Sequence, residues 1–414
     1  MSLATALREG LSSGGHGFQF LMPRYTLGDA DMKALTTYLR QLSVQPSSGV
    51  STERMAFATV IAPGQDPVRR QAVIDVLRAC FDEQHPGGQG RQTWQLIVWD
   101  LEGSPAGWLS QLRSKYAEQP VFALVSGLGS DEWAPVHQFC ELEKIPCLLP
   151  NVDAVPQAVE GYYSFYFSKG VVLEAQVIAR YLAANASRLG VTRVVQIRRE
   201  AGSGARAAAA LRGDLAGSSI GIEDRILDSA SSGDFRSVVV DLEKSDALVL
   251  WLNPEDLRAL AVGTPPEGAT IMISGLLAGW EHAPLPAAWK SSSLMIYQID
   301  APSRRAARMR FNLQPWLRGK AIAPADEGLL GNTLTACNVL HEGVLRLRGA
   351  CFRDYLVEVT ERYPTMGNAP APQAYPRFTL GPGQRFSSPG AYVVRFKPQA
   401  PDELELVQDW TVPQ

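Results

Sequence analysis

The chain has 414 residues, of which 46% are apolar and 20% charged, and its formal net charge is −3. This length suits two or three domains with hydrophobic cores, and the small negative charge gives no reason to expect a nucleic-acid surface. Because no apolar run approaches the roughly 18–20 residues that cross a bilayer, we expect no membrane insertion. A basic start followed by an apolar core is also missing, so we expect no signal peptide within this chain.

The first 48 residues predict a helix followed by a polar linker. Asp29 and Asp31 fall in the first helical turn, where the helix dipole favours carboxylates. Apolar residues then recur at helical spacing and form one stripe, namely Met32, Leu35, Leu39 and Leu42. Residues 43–53 are rich in Ser, Pro and Gly and are typical of a linker.

The Met22-Pro23 pair, the Asp-rich helix start and the Tyr38-Leu39-Arg40 ending resemble the C-terminal part of a cytochrome c domain. The resemblance implies that residues 1–48 are a truncated cytochrome c remnant with its linker, and that Met22 is an axial haem ligand in a longer protein carrying haem c. Covalent haem attachment needs Cys-x-x-Cys-His. The chain lacks it, so we expect no cofactor here and expect Met22 to pack or fray. The alternative is an ordinary amphipathic surface helix.

From residue 53 onward, short apolar strands alternate with longer helices. The predicted strands are Phe57–Ala62, Trp94–Asp100, Val121–Val125, Pro146–Leu149, Val194–Ile197, Ile222–Leu227, Ala247–Leu252 and Thr270–Ser274. The predicted helices are Pro67–Gln84, Ala106–Ala117, Ala134–Glu143, Val171–Leu189, Ala205–Ala216, Phe235–Lys244 and Pro254–Ala261. Such alternation favours parallel sheets that helices cover on both faces, with one module before about residue 165 and a second after it.

The closing third breaks this alternation. It predicts three successive helices and then two strands, Ala306–Arg318, Ala325–Leu347, Phe352–Arg362, Tyr392–Phe396 and Leu404–Trp410. A segment of this kind can return to both modules, which favours a two-lobed body with several crossovers. The basic pieces Arg304-Arg305 and Arg308 to Arg310 predict a solvated helix face.

Five cysteines and five histidines are scattered without a metal-binding pattern, so we expect no metal site. Cys140 and Cys147 flank a helix end and the next strand, a spacing that permits a short-range disulfide. Cys337 and Cys351 would lie on successive helices, with Cys337 roughly 15 Å of helix from the turn near Arg348-Gly349, which is too far for a disulfide.

This organisation resembles the type I periplasmic binding proteins, in their branched-chain amino-acid receptor branch. The resemblance follows an ordered series of segments, Pro63–Asp66, His85–Arg91, Gln95–Asp100, Val125–Ser130, Ala134–Pro146 and Thr379–Phe386. It implies an α/β, two-lobed fold in which each lobe is a mostly parallel sheet between helices. Lobe 1 would comprise residues 53–166 plus 299–377, and lobe 2 residues 167–298 plus 378–414.

In paired parallel sheets, ligands bind beyond the carboxyl ends of the strands, where loops supply polar groups. The resemblance places the following residues at such a site: Gln65, Ser126, Gly129, Ser130, Trp133, Asp153, Glu200, Asn253 and Leu276. Ser130 matches the family's carboxylate-binding serine, and its alternative role is a helix N-cap. Leu276 stands where the family often has an acidic partner for an ammonium group, and because a leucine cannot fill that role, a zwitterionic branched-chain amino acid is not the expected ligand. Three tryptophans could offer flat apolar walls for a ring or acyl chain, although the favoured role of each is packing in a hydrophobic core: Trp133, Trp251 and Trp280.

The functional expectation is a non-enzymatic, exported periplasmic solute-binding protein of ABC-transporter type. It would capture a carboxylate or an aromatic or amino-acid-like compound, with either an ABC permease or a periplasmic dehydrogenase as its partner. No Gly-x-Ser-x-Gly elbow or phosphate loop supports catalysis. One alternative is a haem-linked electron-transfer or redox-sensing partner of a periplasmic dehydrogenase. Another is an interaction scaffold whose cleft is filled by bulky side chains.

Overall fold

The computed structural model describes residues 3–11, 17, 24–44, 47–84, 92–129, 131–156, 161–227, 238–260, 264–324, 326–347, 351–362 and 378–413. Residues 1–48 and 49–414 form two compact units. The first unit contains α1 (Leu3–Glu9) and α2 (Asp29–Val44). Asp29 and Asp31 lie in the first turn of α2, as predicted.

Arg8 joins the two helices of the first unit. Its guanidinium donates hydrogen bonds to the Leu27 carbonyl and to the Asp29 carboxylate, each at 2.8 Å. Met32 is buried in this small unit, in agreement with the predicted apolar stripe. Met22 lies outside the described residues, so its predicted role as a haem ligand stays a prediction.

The first sheet of the second unit consists of β1 (Arg54–Ile61), β2 (Thr93–Asp100), β3 (Ala123–Val125), β4 (Cys147–Leu148) and β5 (Ser164–Phe165). All five strands are parallel, in the order β2-β1-β3-β4-β5. Strand β1 is buried along nearly its whole length, as expected for a parallel strand covered on both faces. Met55 and Phe57 face one hydrophobic core, whereas Ala56 and Ala58 face the other.

The second sheet consists of β6 (Arg193–Arg199), β7 (Gly221–Leu227), β8 (Asp246–Trp251), β9 (Thr270–Ser274), β10 (Ser293–Tyr297), β11 (Ala391–Lys397) and β12 (Ala400–Thr411). Its order is β12-β11-β10-β9-β8-β6-β7. The strands β6 to β10 are parallel, whereas β11 pairs antiparallel with both β10 and β12. Each sheet and the helices packed on it form one lobe.

The helices of the second unit are α3 (Pro67–Gln84), α4 (Trp108–Glu118), α5 (Ala134–Leu142), α6 (Val171–Leu189), α7 (Ser203–Asp214), α8 (Pro254–Leu260), α9 (Gly275–Ala278), α10 (Ala287–Ser292), α11 (Pro302–Arg308), α12 (Gln314–Gly319), α13 (Glu327–Leu347) and α14 (Arg353–Glu361). Short 3₁₀ turns cover Pro105–Gly107 and Trp280–His282, and a π-helical turn covers Met309–Leu313. Helix α6 ends at Gly190, whose φ of 68° gives the left-handed conformation that closes many helices.

A disulfide between Cys80 of α3 and Cys337 of α13 ties the returning helix α13 to lobe 1. The disulfide considered from the sequence is not formed, since Cys140 and Cys147 are both buried free thiols. Arg353 at the start of α14 adds a second connection, because it donates to the carbonyls of Val121 and Phe122.

The chain passes between the two lobes three times, and the three crossovers are hydrogen-bonded to one another. The Tyr166 N–H donates to the Arg385 carbonyl at 2.8 Å, and the Ser387 N–H donates to the Tyr166 carbonyl at 2.9 Å. The Ser168 hydroxyl contacts the side-chain oxygen of Gln298 at 2.5 Å. Three bonded crossovers form a hinge about which two lobes can rotate.

Among the described helices, none is both long and apolar enough to cross a membrane.

Candidate functional site

A cleft of about 1040 Å³ lies between the carboxyl ends of the two sheets. Lobe 1 supplies the loop after β4, Pro150 to Asp153, and lobe 2 supplies Asn253 after β8 and Leu276 after β9. The crossovers contribute Ser168 and Gln298 at its floor. Clefts at this position in α/β proteins bind ligands because the loops there present polar groups.

Five of the residues predicted for the site line this cleft, namely Gln65, Gly129, Asp153, Asn253 and Leu276. The loops that carry them are paired: the Gly129 N–H donates to the Asn151 carbonyl at 2.9 Å, and the Asn151 N–H donates to the Gly127 carbonyl at 2.7 Å. The side-chain oxygen of Asn253 accepts hydrogen bonds from the N–H groups of Glu255 and Asp256, so it caps α8.

Three predicted residues lie away from the cleft wall. Ser126 is buried, and its hydroxyl accepts a hydrogen bond from the Asn151 amide at 3.1 Å, so it positions the loop. Trp133 is 1% exposed and packs beneath Gly127 and Gly129 in the core of lobe 1. Glu200 is exposed, and its carbonyl accepts from Arg198. Ser130 lies outside the described residues.

Trp280 is the one tryptophan of the three suggested as apolar walls that lines the cleft, since Trp133 and Trp251 are fully buried. Its φ of 53° is unusual for a bulky residue and follows Gly279, which also has a positive φ. The Arg305 guanidinium lies 5.5 Å from the ring centroid. Strain of this kind is often found at binding sites.

The prediction of a solvated helix face was wrong for Arg305. Arg305 is 5% exposed, forms an ion pair with Glu281, and donates to the Tyr297 hydroxyl at 3.3 Å. The sequence did indicate a buried position, because Arg305 stands four residues before Met309 and eight before Leu313, on the helix face that carries these two buried residues. The π-helical turn that begins at Met309 also lines the cleft, and such turns are frequent at functional sites.

Two carboxyl groups in and near the cleft have raised pKa values, namely Asp153, which is partly exposed in the cleft lining, and Glu174, which is fully buried on α6. Burial raises the pKa of Asp153 from 3.8 to about 6; the negative charge of Asp131 raises it further, and Arg69 opposes the rise. Burial also raises the pKa of Glu174 from 4.5 to about 7. Glu174 accepts hydrogen bonds from the Ser274 hydroxyl, the Leu276 N–H at 2.9 Å and the Gln298 amide at 3.1 Å. It therefore joins the hinge to the β9 loop.

Three buried polar atoms of cleft residues have no hydrogen-bond partner within the described part of the chain. They are Oδ1 of Asn151, Nε1 of Trp280 and Nε of Arg305. Unpaired buried polar atoms cost roughly 1–3 kcal/mol each, so native proteins usually satisfy them, often with a ligand or water. Asn151 was not among the residues predicted for the site, although it stands two residues before Asp153 in the same loop after a predicted strand.

The lobes also contact each other directly beside the cleft. The Asp131 carboxylate of lobe 1 accepts hydrogen bonds from the Ser203 N–H at 3.0 Å and from the Ser203 hydroxyl. Arg206 of lobe 2 forms an ion pair with Glu132 at 3.2 Å. Among the described residues, no group of three or more His, Cys, Asp or Glu side chains is placed to hold a metal ion.

Solved structures share this fold, although no protein-family model and no curated protein sequence matches the chain. A branched-chain amino-acid ABC transporter protein from Thermus thermophilus with bound valine superposes with a TM-score of 0.65 at 12% identity, covering 87% of this chain and 97% of that one. A solute-binding protein from R. palustris in complex with benzoate gives 0.64 at 14% identity, covering 87% and 97%. A fatty acid ABC transporter substrate-binding protein from Thermomonospora curvata gives 0.61 at 15% identity, covering 89% and 95%.

These similar structures are substrate-binding proteins of transporters, and they lend no support to the cytochrome c interpretation of residues 1–48 or to the haem-linked alternative. At such low identity the likeness concerns the fold. The chain has the α/β, two-lobed fold of the type I periplasmic binding proteins, as its sequence predicted.

Proposed function

We propose that this protein is a non-enzymatic, periplasmic solute-binding protein that captures a small organic ligand in the cleft between its lobes. The cleft itself is the observation that supports this proposal most strongly. Its volume of about 1040 Å³ lies just above the ~300–1,000 Å³ typical of small-molecule sites. Three cleft residues also carry a buried polar atom that has no hydrogen-bond partner among the described residues, namely Asn151, Trp280 and Arg305, and a bound ligand or water is the usual way in which such atoms are satisfied.

The ligand we propose is a small carboxylate or an aromatic or amino-acid-like compound. Trp280 gives the cleft a flat aromatic wall, and Leu276 and Leu277 add apolar surface. Two proteins of similar fold hold valine and benzoate. An ABC permease is the corresponding partner, since a two-lobed binding protein of this type delivers its ligand to a transporter.

A thermal-shift screen tests the proposal. Binding to the folded state alone stabilises a protein by RT ln(1 + [L]/Kd), which is about 2.7 kcal/mol when the ligand is at 100 times its Kd. For a chain of this size we expect a Tm rise of at least about 3 °C. The panel should contain carboxylates, amino acids, aromatic acids and amines. A folded sample that no member of the panel stabilises would contradict the proposed function.

A further inference from the structure

Asp153 is a carboxylate that lines the cleft without a partner. No hydrogen bond or ion pair among the described residues reaches its side chain, which only Arg69 influences favourably and only at long range. Its backbone is firmly held, because the Asp153 carbonyl accepts the Val171 N–H at 3.0 Å at the start of α6. A fixed backbone with an unpaired carboxylate at a cleft wall is suited to receive a ligand group.

Asn151 places a second acceptor on the same loop. Its amide nitrogen donates to the Ser126 hydroxyl, at 3.1 Å, and lies 3.5 Å from the Thr333 hydroxyl oxygen. The Thr333 hydroxyl donates to the Leu329 carbonyl at 2.9 Å, so it is an acceptor for Asn151. These contacts fix the orientation of the Asn151 amide and leave its oxygen buried and without a donor. Asp153 and Asn151 thus present acceptors only.

The charges around Asp153 are unbalanced toward negative. Asp131 from the loop after β3 and Glu174 from α6 both interact unfavourably with the Asp153 charge. Arg69 of α3 is the opposing cation, and it already pairs with Asp326 at 3.3 Å. A negatively charged ligand group placed here would add to this repulsion, whereas a positively charged group would relieve it.

We infer that the Asp153–Asn151 loop of lobe 1 forms a subsite for a positively charged, hydrogen-bond-donating group of the ligand, such as a protonated amine. This inference rests on the proposed function and names the chemistry that one end of the cleft recognises. The amine would donate to the Asp153 carboxylate, and the buried Asn151 oxygen, which has no donor, adds to the negative potential of the loop. Charge-assisted hydrogen bonds of this kind are shorter and stronger than neutral ones.

A pair of probes with the same ring and opposite charge, benzylamine and benzoate, tests the inference by calorimetric titration. Benzylamine should bind the wild type at about pH 8, and Asp153→Asn should weaken it at least about tenfold. Asp75→Asn makes the same change in α3, outside the cleft lining, and should leave the affinity within about twofold. The Asp153 substitution removes no hydrogen bond of the described residues, so the variant should fold.

The wild type alone gives a second readout. Because the pKa of Asp153 is about 6, its charge is largely lost near pH 5, and benzylamine affinity should fall about tenfold between pH 8 and pH 5. Asp153→Asn should bind equally at both pH values. If benzoate binds and benzylamine does not, the cleft is a binding site but the inference is wrong. If neither probe nor any compound of the wider screen binds, the proposed function fails with it.

Discussion

The Asp131 carboxylate of lobe 1 caps the first turn of α7 in lobe 2 by accepting hydrogen bonds from the N–H and the hydroxyl of Ser203. Helix α7 has no side-chain cap of its own, because Gly202 occupies its N-cap position. A carboxylate at a helix N-terminus satisfies exposed N–H groups and interacts favourably with the helix dipole. One lobe therefore stabilises a helix of the other, and opening the cleft on this side exposes that helix end.

Asp131→Ala should loosen the two lobes. We expect the free energy of unfolding to fall by about 1–2 kcal/mol, as for loss of an N-cap. The distance between spin labels at the exposed positions Leu142 and Ile226, one on each lobe, should become longer and more broadly distributed. Glu403→Ala is the control, because the exposed Glu403–Lys397 pair lies within the β11–β12 hairpin of lobe 2 and should contribute little to stability. An unchanged distance in Asp131→Ala would contradict the capping role.

Stability should fall as the pH rises from about 5 to 8. The folded-state pKa values of Glu174 and Asp153, about 7 and about 6, are above their ordinary values. A carboxyl group whose pKa is higher in the folded state than in the unfolded state stabilises the fold most at a pH below its unfolded-state pKa. This contribution is lost as the pH rises through its folded-state pKa. At about 1.4 kcal/mol per pKa unit, ionisation of Glu174 can lower the free energy of unfolding by at most roughly 3 kcal/mol over this pH range.

Glu174→Gln isolates the contribution of that residue, because a glutamine can keep the contacts with Ser274 and Leu276. Chemical denaturation at several pH values should give a flatter stability curve for this variant than for the wild type. If the two curves run parallel, Glu174 is not the group that titrates.

The Cys80–Cys337 disulfide joins residues 257 positions apart and should stabilise the folded chain by about 2–4 kcal/mol. Cys337→Ser should therefore lower the Tm by several degrees, whereas Cys351→Ser, outside the disulfide, should change it little. Alkylation of the denatured, unreduced protein should label three of the five cysteines. Labelling of all five would show that the bond is not formed.

The indole of Trp133 packs directly against the backbone of Gly127 in the cleft loop, because residue 127 has no side chain. A Cβ at residue 127 would stand 2.4 Å from Cη2 of Trp133 and 3.1 Å from the Val60 carbonyl, so Gly127→Ala must displace the ring or the strand. We expect a destabilisation of about 1–3 kcal/mol, measured by chemical denaturation. Gly107→Ala should be nearly neutral, because its nearest neighbour is the end of the Gln111 side chain at 3.6 Å.

Much of the fold follows from apolar runs and glycine positions. The helices Pro67–Gln84 and Val171–Leu189 and the strand Thr270–Ser274 were predicted with the bounds that the structure shows. Gly170 and Gly190 flank the second of these helices, so both of its ends can be predicted from the sequence. The two-residue strand β5 was missed because its pairing with β4 comes from tertiary contact and leaves no periodic pattern.

The candidate site was harder to predict, because the sequence shows which residues follow a strand but not which way their side chains point. Ser126 and Asp153 both follow strands, yet Ser126 turns inward to Asn151 while Asp153 lines the cleft. Arg305 was misjudged because its charge suggested solvent, whereas Glu281 and Tyr297 satisfy it in a buried position. Partners that lie far apart in sequence decide each of these cases.

Binding in the interlobe cleft is the central claim, and a titration of the best ligand from the screen into two matched variants tests it most directly. Leu276→Trp enlarges a side chain that lines the cleft, and Leu142→Trp makes the same change on the exposed surface of α5. We predict one site per chain in the wild type, a loss of affinity of at least about tenfold in Leu276→Trp, and wild-type affinity in Leu142→Trp. Equal affinity in all three proteins would contradict the claim, because the ligand would then bind outside the cleft.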